Sequence, residues 1–281
     1  MGLLLEKEAD VNAQGGKYGS ALQAASFRGR EAVVRLLLKK GADVDAQGGA
    51  YGNALQAASF AFGGGEAVVR LLLEEGADVN AQGGHHGNAL QAASLRGCEA
   101  VVRLLLKRGA DVNAQGGHHG NALQAASLAF GGGEAVVRLL LEGADVNAQE
   151  GHHSNALQAA SFVFDGGEAI VRLLLEKGAD VNAQGGVYGN ALQAASECGD
   201  EAIVRLLLEE GADVNAQGGH YGNALQAASS RGREAVVRLL LKKGAKVNAQ
   251  GGEYTNALTA ASIGGHGDVV SLLLGMGAHD A

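Results

Sequence analysis

Nine histidines and two cysteines are the residues of this 281-residue chain with the most chemistry to offer. Six of the histidines come as adjacent pairs, His85-His86, His118-His119 and His152-His153. Gathered imidazoles suggest either a metal centre or a proton-responsive surface. Zinc usually needs four ligands at ~2.0–2.1 Å around one point. Pairs carried on successive packed helical units would instead stand roughly 8–10 Å apart. Adjacent histidines on one turn also tend to point apart, and only Glu150, near His152, adds a carboxylate. No metal site is therefore expected. A pH response fits better: protonating all nine imidazoles would move the formal charge from −8 to +1. A histidine-rich metal- or pH-responsive module stays the alternative reading.

Other chemistry fails on spacing. The Gly-Gly-Gly runs lack a Gly-Lys-Ser/Thr partner, so they are not phosphate loops. The serine column (Ser26, Ser59, Ser94 and onward) has no paired His–Asp arrangement and reads as helix-end polarity. Neither His-Glu-x-x-His nor Cys-x-x-Cys occurs. No catalytic residue and no cofactor is expected. Cys98 and Cys198 fall three repeats apart, about 25–30 Å in a stack, far beyond the ~7 Å limit for a disulfide. Free thiols indicate a reducing, intracellular compartment, cytoplasmic or nuclear. The negative charge argues against nucleic-acid or acidic-membrane surfaces. No apolar run is long enough to span a membrane. The start Met-Gly-Leu-Leu-Leu-Glu is neither a signal peptide nor, lacking Ser/Thr at position six, a myristoylation site.

The elements that must position these residues repeat. Ala-Leu-Gln-Ala-Ala-Ser begins at 21, 54, 89, 122, 156, 191 and 224, and Ala-Leu-Thr-Ala-Ala-Ser at 257. Gly-Ala-Asp-Val-Asn-Ala-Gln follows in the same phase, as at Gly76 to Gln82. A period near 33 residues marks a solenoid. Eight full repeats (12–44, 45–79, 80–112, 113–146, 147–181, 182–214, 215–247 and 248–281) follow a partial one over 1–11.

Within the second repeat, Asn53 and Gln56 form a capping-box pattern. It opens a two-turn helix over about 54–59, and a second helix runs over about 66–75. Val68, Val69, Leu71, Leu72 and Leu73 cover most of that second helix, so it needs cover on more than one side. Glu66 precedes Arg70 by four residues, and the same pair recurs through the array, making this basic column a solvated edge. Gly76 stands where a left-handed helix stop needs glycine. No such repeat is stable alone; stacking supplies the missing burial. Helix one carries Ala where helix two carries Leu, so the stack should curve, with helix one lining a concave face.

The stretch Glu66-Ala67-Val68-Val69-Arg70-Leu71-Leu72-Leu73-Glu74-Glu75-Gly76-Ala77-Asp78-Val79-Asn80-Ala81 resembles the second half of an ankyrin repeat. The resemblance covers essentially the whole chain. It implies an all-α ankyrin-repeat solenoid of helix–turn–helix units with hairpin fingers, and a non-enzymatic scaffold that binds a protein partner. The chain departs from the family at helix one, with Asn-Ala-Leu-Gln for Thr-Pro-Leu-His, so Ala replaces Pro and the chain contains no proline. Gly-Gly-x-Tyr or Gly-Gly-x-His replaces the family's Asp-Gly finger turn. Near-identical repeats of this kind are similar to arrays at the ends of large fungal nucleotide-switch (NACHT/NLR-like) signalling proteins. That implies a sensing or regulatory arm of a larger switch protein.

The copies differ in two places. Before each helix one stand the pairs Lys17-Tyr18, Ala50-Tyr51, His85-His86, His118-His119, His152-His153, Val187-Tyr188, His220-Tyr221 and Glu253-Tyr254. In an ankyrin-like array these lie on the fingers, where the resemblance implies partner contact. Tyr and His are residues that interfaces favour; the competing reading is a structural ladder of rings. Repeats two, four and five carry two extra residues between the helices, and these inserts hold Phe60, Phe62, Phe130, Phe162 and Phe164. Either the insert extends helix one and packs the rings between turns, or it forms an exposed apolar strip. Partner contacts are thus expected at Tyr51, His85, His86, His118, His119, His152, His153, Tyr188, His220, Tyr221 and those five phenylalanines. Repeat four lacks one residue near Leu141-Glu142-Gly143, which should shorten its second helix. Leu3-Leu4-Leu5 reads as the tail of a second helix, which suggests either a monomer or a piece of a longer chain.

Overall fold

The computed structural model describes residues 10–61, 65–129, 133–163 and 167–279. Leu3-Leu4-Leu5, Phe62, Phe130 and Phe164 lie outside them. The chain divides into two compact bodies, Met1–Asp145 and Val146–Ala281. In the N-terminal body, an antiparallel pair β1 (Gln14–Gly15) and β2 (Gly19–Ser20) leads into α1 (Ala21–Phe27) and α2 (Glu31–Lys39). Then follow α3 (Ala54–Ser59) with α4 (Gly65–Glu74), α5 (Ala89–Leu95) with α6 (Glu99–Lys107), and α7 (Ala122–Ser127) with α8 (Gly133–Leu140). The C-terminal body holds α9 (Ala156–Ser161) with α10 (Gly167–Glu176), α11 (Ala191–Cys198) with α12 (Glu201–Glu209), α13 (Ala224–Ser230) with α14 (Glu234–Lys242), and α15 (Ala257–Ile263) with α16 (Gly267–Gly275). Within each body, helix one packs on the next helix one and helix two on the next helix two. This is the all-α repeat architecture expected from the period.

The capping box forms as the spacing predicts. Asn53 sits in extended backbone, its Oδ1 accepts the Gln56 N–H at 2.9 Å, and Gln56 Oε1 accepts the Asn53 N–H at 2.8 Å. Asn88 with Gln91 and Asn121 with Gln124 repeat it. The glutamine has a second task that its short-range pattern hides. Buried Gln56 sends its Nε2 across to the carbonyls of Ala81 (2.9 Å) and Gly87 (3.0 Å) in the next repeat. Gln91 does the same to Ala114 and Gly120, both at 3.0 Å, and Gln226 to Ala249 and Thr255 at 3.2 and 3.0 Å. Gln56 and Gln91 therefore cap their own helices and clamp the following finger; Gln226 makes the clamp without the cap.

Helix two supplies the wide core: Val68, Val69 and Leu72, like Val102 and Leu105, are fully enclosed. Its Glu–Arg pairs, seven among the described residues, close at 2.5–2.9 Å with both partners half exposed, so each contributes only ~0.2–0.5 kcal/mol. The Arg column is a solvated edge.

A further column joins helix-two stops between repeats. Asn80 Nδ2 donates to the Gly109 carbonyl at 3.1 Å, while its Oδ1 accepts the Asp111 N–H at 2.8 Å. Asn12 and Asn113 do likewise in this body. Asn147, Asn182, Asn215 and Asn248 do so in the other. Position 45 alone carries Asp, which keeps only the acceptor half, taking the Asp78 N–H at 3.0 Å.

The inserts do not lengthen helix one. α3, α7 and α9 are six residues long, whereas the other first helices have seven or eight. Helix two gains the residue instead, starting at Gly65, Gly133 and Gly167. A Cβ on Gly65 would lie 2.2 Å from the Ala58 carbonyl oxygen, so only glycine lets helix two start this close to helix one. The missing residue of repeat four shows as expected: α8 has eight residues against ten in α4 and α10.

Candidate interaction surface on the fingers

Each finger is a minimal hairpin. Gly48 bridges Gly52, Gly83 bridges Gly87 and Gly116 bridges Gly120; in the C-terminal body Gly185 bridges Gly189 and Gly218 bridges Gly222. Gly84 shows why the tips need glycine. Its φ is +61°, and an added Cβ would stand 2.4 Å from the Tyr51 carbonyl carbon and from the Gly52 nitrogen of the preceding finger. The Gly-Gly turn thus lets successive fingers come into backbone contact.

The variable pair divides into two columns with opposite environments. The residue nearer the helix is always a ring, and the rings stack. Tyr18 lies on Tyr51 at 5.9 Å, Tyr51 on His86 at 6.3 Å and His86 on His119 at 6.3 Å. In the C-terminal body His153 lies on Tyr188 at 5.7 Å and Tyr221 on Tyr254 at 6.3 Å. His86, Tyr188 and Tyr221 are buried; Tyr51, His119 and His153 are half-buried. The structural ladder therefore describes this column.

The outer residue is exposed in every repeat: Lys17, Ala50, His85 and His118 in one body, His152, Val187, His220 and Glu253 in the other. Its backbone nevertheless does structural work. Ala50 N–H donates to the Lys17 carbonyl (2.9 Å), His85 to Ala50 (2.9 Å) and His118 to His85 (3.1 Å). His220 N–H donates to Val187 (2.8 Å) and Glu253 to His220 (3.0 Å). Tip joins tip through the main chain while the side chains face water. His85 and His118 stack face to face at 5.3 Å, and His220 Nε2 pairs with Glu253 Oε2 at 2.6 Å. Among the described residues, no three His, Cys, Asp or Glu gather where a metal ion could be held.

The phenylalanines that are described join the ladder. Phe60 stacks on His86 at 4.1 Å and Phe162 on Tyr188 at 4.8 Å, and both are half-buried. Phe27, in a repeat without an insert, packs on Tyr51 at 4.6 Å. The ring ending helix one thus packs on the finger of the next repeat, and Phe60 and Phe162 form no exposed strip. In repeat six this position is Glu197. It is buried and pairs with Arg231 at 2.7 Å, while Arg231 also donates to the Tyr221 hydroxyl at 3.2 Å. Burial, then the hydrogen bond and charge of Glu197, push the Tyr221 hydroxyl up to about 12. Burial raises both cysteine thiols; they are free, and Cys198 Sγ donates to the Phe162 carbonyl.

Helix one does not offer the expected face. All six residues of the Ala-Leu-Gln-Ala-Ala-Ser string are buried in α3, α5, α7, α9, α11 and α13. Small side chains let first helices approach so closely that none of the string remains exposed. Ser127, Ser161 and Ser196 donate to the carbonyl four residues back at 2.6–2.8 Å, whereas the buried hydroxyls of Ser26, Ser59, Ser94 and Ser229 have no hydrogen-bond partner. Spacing within one repeat missed the Asn column and Glu197–Arg231, whose partners lie about thirty residues away.

Family models for ankyrin repeats match residues 19–49, 51–116, 123–218 and 225–274. No curated protein matches the chain. The repeat architecture, the hairpin fingers and matches over most of its length agree: this chain belongs to the ankyrin-repeat family.

Proposed function

We propose that the chain recognises a protein partner through the outer column of its fingers. Ankyrin repeats are generally protein–protein interaction modules, and the family is typically non-enzymatic. Among the described residues, no helix is long and apolar enough to cross a membrane. The observation that carries the reading is where the copies vary. The buried string of helix one is nearly constant and the inner column is always Tyr or His, yet the outer column uses Lys, Ala, His, Val and Glu, all exposed. Variation at exposed tips on a near-constant scaffold is what a recognition surface requires. His85 and His118 in one body and His152, Val187 and His220 in the other are the contact residues. The inner rings hold the tips in place, with Phe60 and Phe162 behind them.

The test is site-specific photo-crosslinking. Crosslinking side chains at positions 85, 118 and 220 should capture one common protein, and the same side chains at 70, 103 and 205 on the Arg column should not. Capture from the Arg column alone overturns the assignment.

A further inference from the structure

His86 is a titratable ring in a place built for an uncharged one. Five of the eight repeats put Tyr at its position, at 18, 51, 188, 221 and 254. His86 is only 7% exposed, and its Nδ1 is buried without a hydrogen-bond partner. Phe60 stacks on it at 4.1 Å, while Tyr51 and His119 stack from the neighbouring fingers, each at 6.3 Å. His85 of its own finger meets it edge-on at 5.5 Å. Beyond Phe60, the Arg96 guanidinium lies 5.3 Å from that ring's centroid. The titratable and charged groups around His86 are thus Tyr51, His85, His119 and Arg96, and none of these is a carboxylate.

We propose that His86 is an acid-sensitive pin: a proton on its imidazole unstacks the fingers 48–52, 83–87 and 116–120. A buried cation here would find no counter-charge among those neighbours and no hydrogen-bond acceptor at Nδ1. Burial first, then the neighbouring His119 and His85, hold its pKa down, from the ordinary 6.5 to about 4. A pKa lowered by folding means that stability is complete above 6.5 and is lost as the pH falls toward 4. Unstacking also releases the tip-to-tip bonds from His85 N–H to Ala50 and from His118 N–H to His85. The exposed tips of this body would then lose their common register. The device is independent of whether those tips bind a partner.

The experiment compares the full chain with His86→Tyr, following urea denaturation by far-UV circular dichroism at about pH 7.5 and about pH 5. A shift from 6.5 to about 4 lowers the native chain's folding equilibrium constant on the order of 30-fold between those conditions. In His86→Tyr this share of the loss should vanish, with the other histidines unchanged in both proteins. Tyr fits the site, since Tyr188 makes the same stack on Phe162 at 4.8 Å. Equal acid losses in the two proteins overturn the proposal. Should His86→Tyr fail to fold at about pH 7.5, the imidazole Cε1–H resonance of His86 in the native chain decides. Titration at least one unit below 6.5 supports the pin, and titration at 6.5 overturns it.

Discussion

Asp45 is the one position where the Asn column between repeats is half made, and it permits a prediction in which a single amide adds stability. At Asn80 the side chain gives one donor bond to Gly109 and takes one acceptor bond from Asp111, at 3.1 and 2.8 Å. Asp45 keeps the acceptor bond to the Asp78 N–H, but where its counterparts carry an amide it carries a second oxygen. By analogy the Gly76 carbonyl, at the stop of α4, is the missing acceptor. Asp45→Asn should supply that bond. A typical intramolecular hydrogen bond contributes ~0.5–1.5 kcal/mol net. Against this stands the loss of the charge on the acceptor serving Asp78 N–H, since charge-assisted bonds are the stronger kind. The expected net gain is therefore about 0.5–1 kcal/mol, or roughly 1–4 °C in melting temperature for a cooperative body of this size. Calorimetry and urea denaturation of the native chain, Asp45→Asn and Asn80→Asp would measure it. Asn80→Asp should lose about as much as Asp45→Asn gains. If Asp45→Asn is neutral or destabilising while Asn80→Asp costs nothing, the side-chain column does not stabilise the stack.

Gln91→Ala should be much more costly, roughly 2–5 kcal/mol by urea midpoint, because it strands the Asn88 N–H and the Ala114 carbonyl at ~1–3 kcal/mol each before relaxation and removes one of the two bonds of the Gly120 carbonyl, which keeps the Gly116 N–H; a loss below about 1 kcal/mol would count against the clamp. Gly84→Ala and Gly76→Ala share a positive φ, but only Gly84 would drive its new Cβ into a neighbouring backbone, while Gly76 meets nothing within 4 Å. The second should cost the ~1–2 kcal/mol of a left-handed residue and the first distinctly more, with parity in thermal melts refuting the close finger contact. Glu197→Phe replaces a buried carboxylate with the ring used at positions 27, 60 and 162; the Arg231 side chain it leaves behind is 54% exposed and can turn to water, so stability should change by less than about 1 kcal/mol. A clear loss would mean that the Glu197–Arg231 pair is net stabilising.

Features whose physics closes within one repeat were readable in the sequence. The Asn53–Gln56 box spans three residues, the Glu66–Arg70 pair four, and the helix stop at Gly76 needs only its own φ, +89°. The deletion in repeat four shortens α8 for the same local reason. What escaped was set by neighbours. The second bonds of Gln56 and Asn80 reach residues 25 to 31 positions away, and nothing in the local pattern marks them. The inner rings read equally well as contact surface or ladder until the next finger's ring is placed against them. The same holds for Phe60, whose packing partner His86 belongs to the following repeat. Helix one looked like a concave contact face because its residues are small. Smallness instead lets adjacent first helices close on one another, which buries them.

The outer finger residues hydrogen-bond tip to tip through the main chain whatever side chain they carry, and this separates two demands that most positions must meet together. A side chain at 85 or 118 can be exchanged without breaking the contact that keeps its finger in line, because N–H and C=O are common to nearly all amino acids. Proline is the type barred, since it has no N–H to give. The tips are therefore interchangeable lettering on a fixed frame: side chains can be rewritten there one repeat at a time while the array beneath keeps its stability.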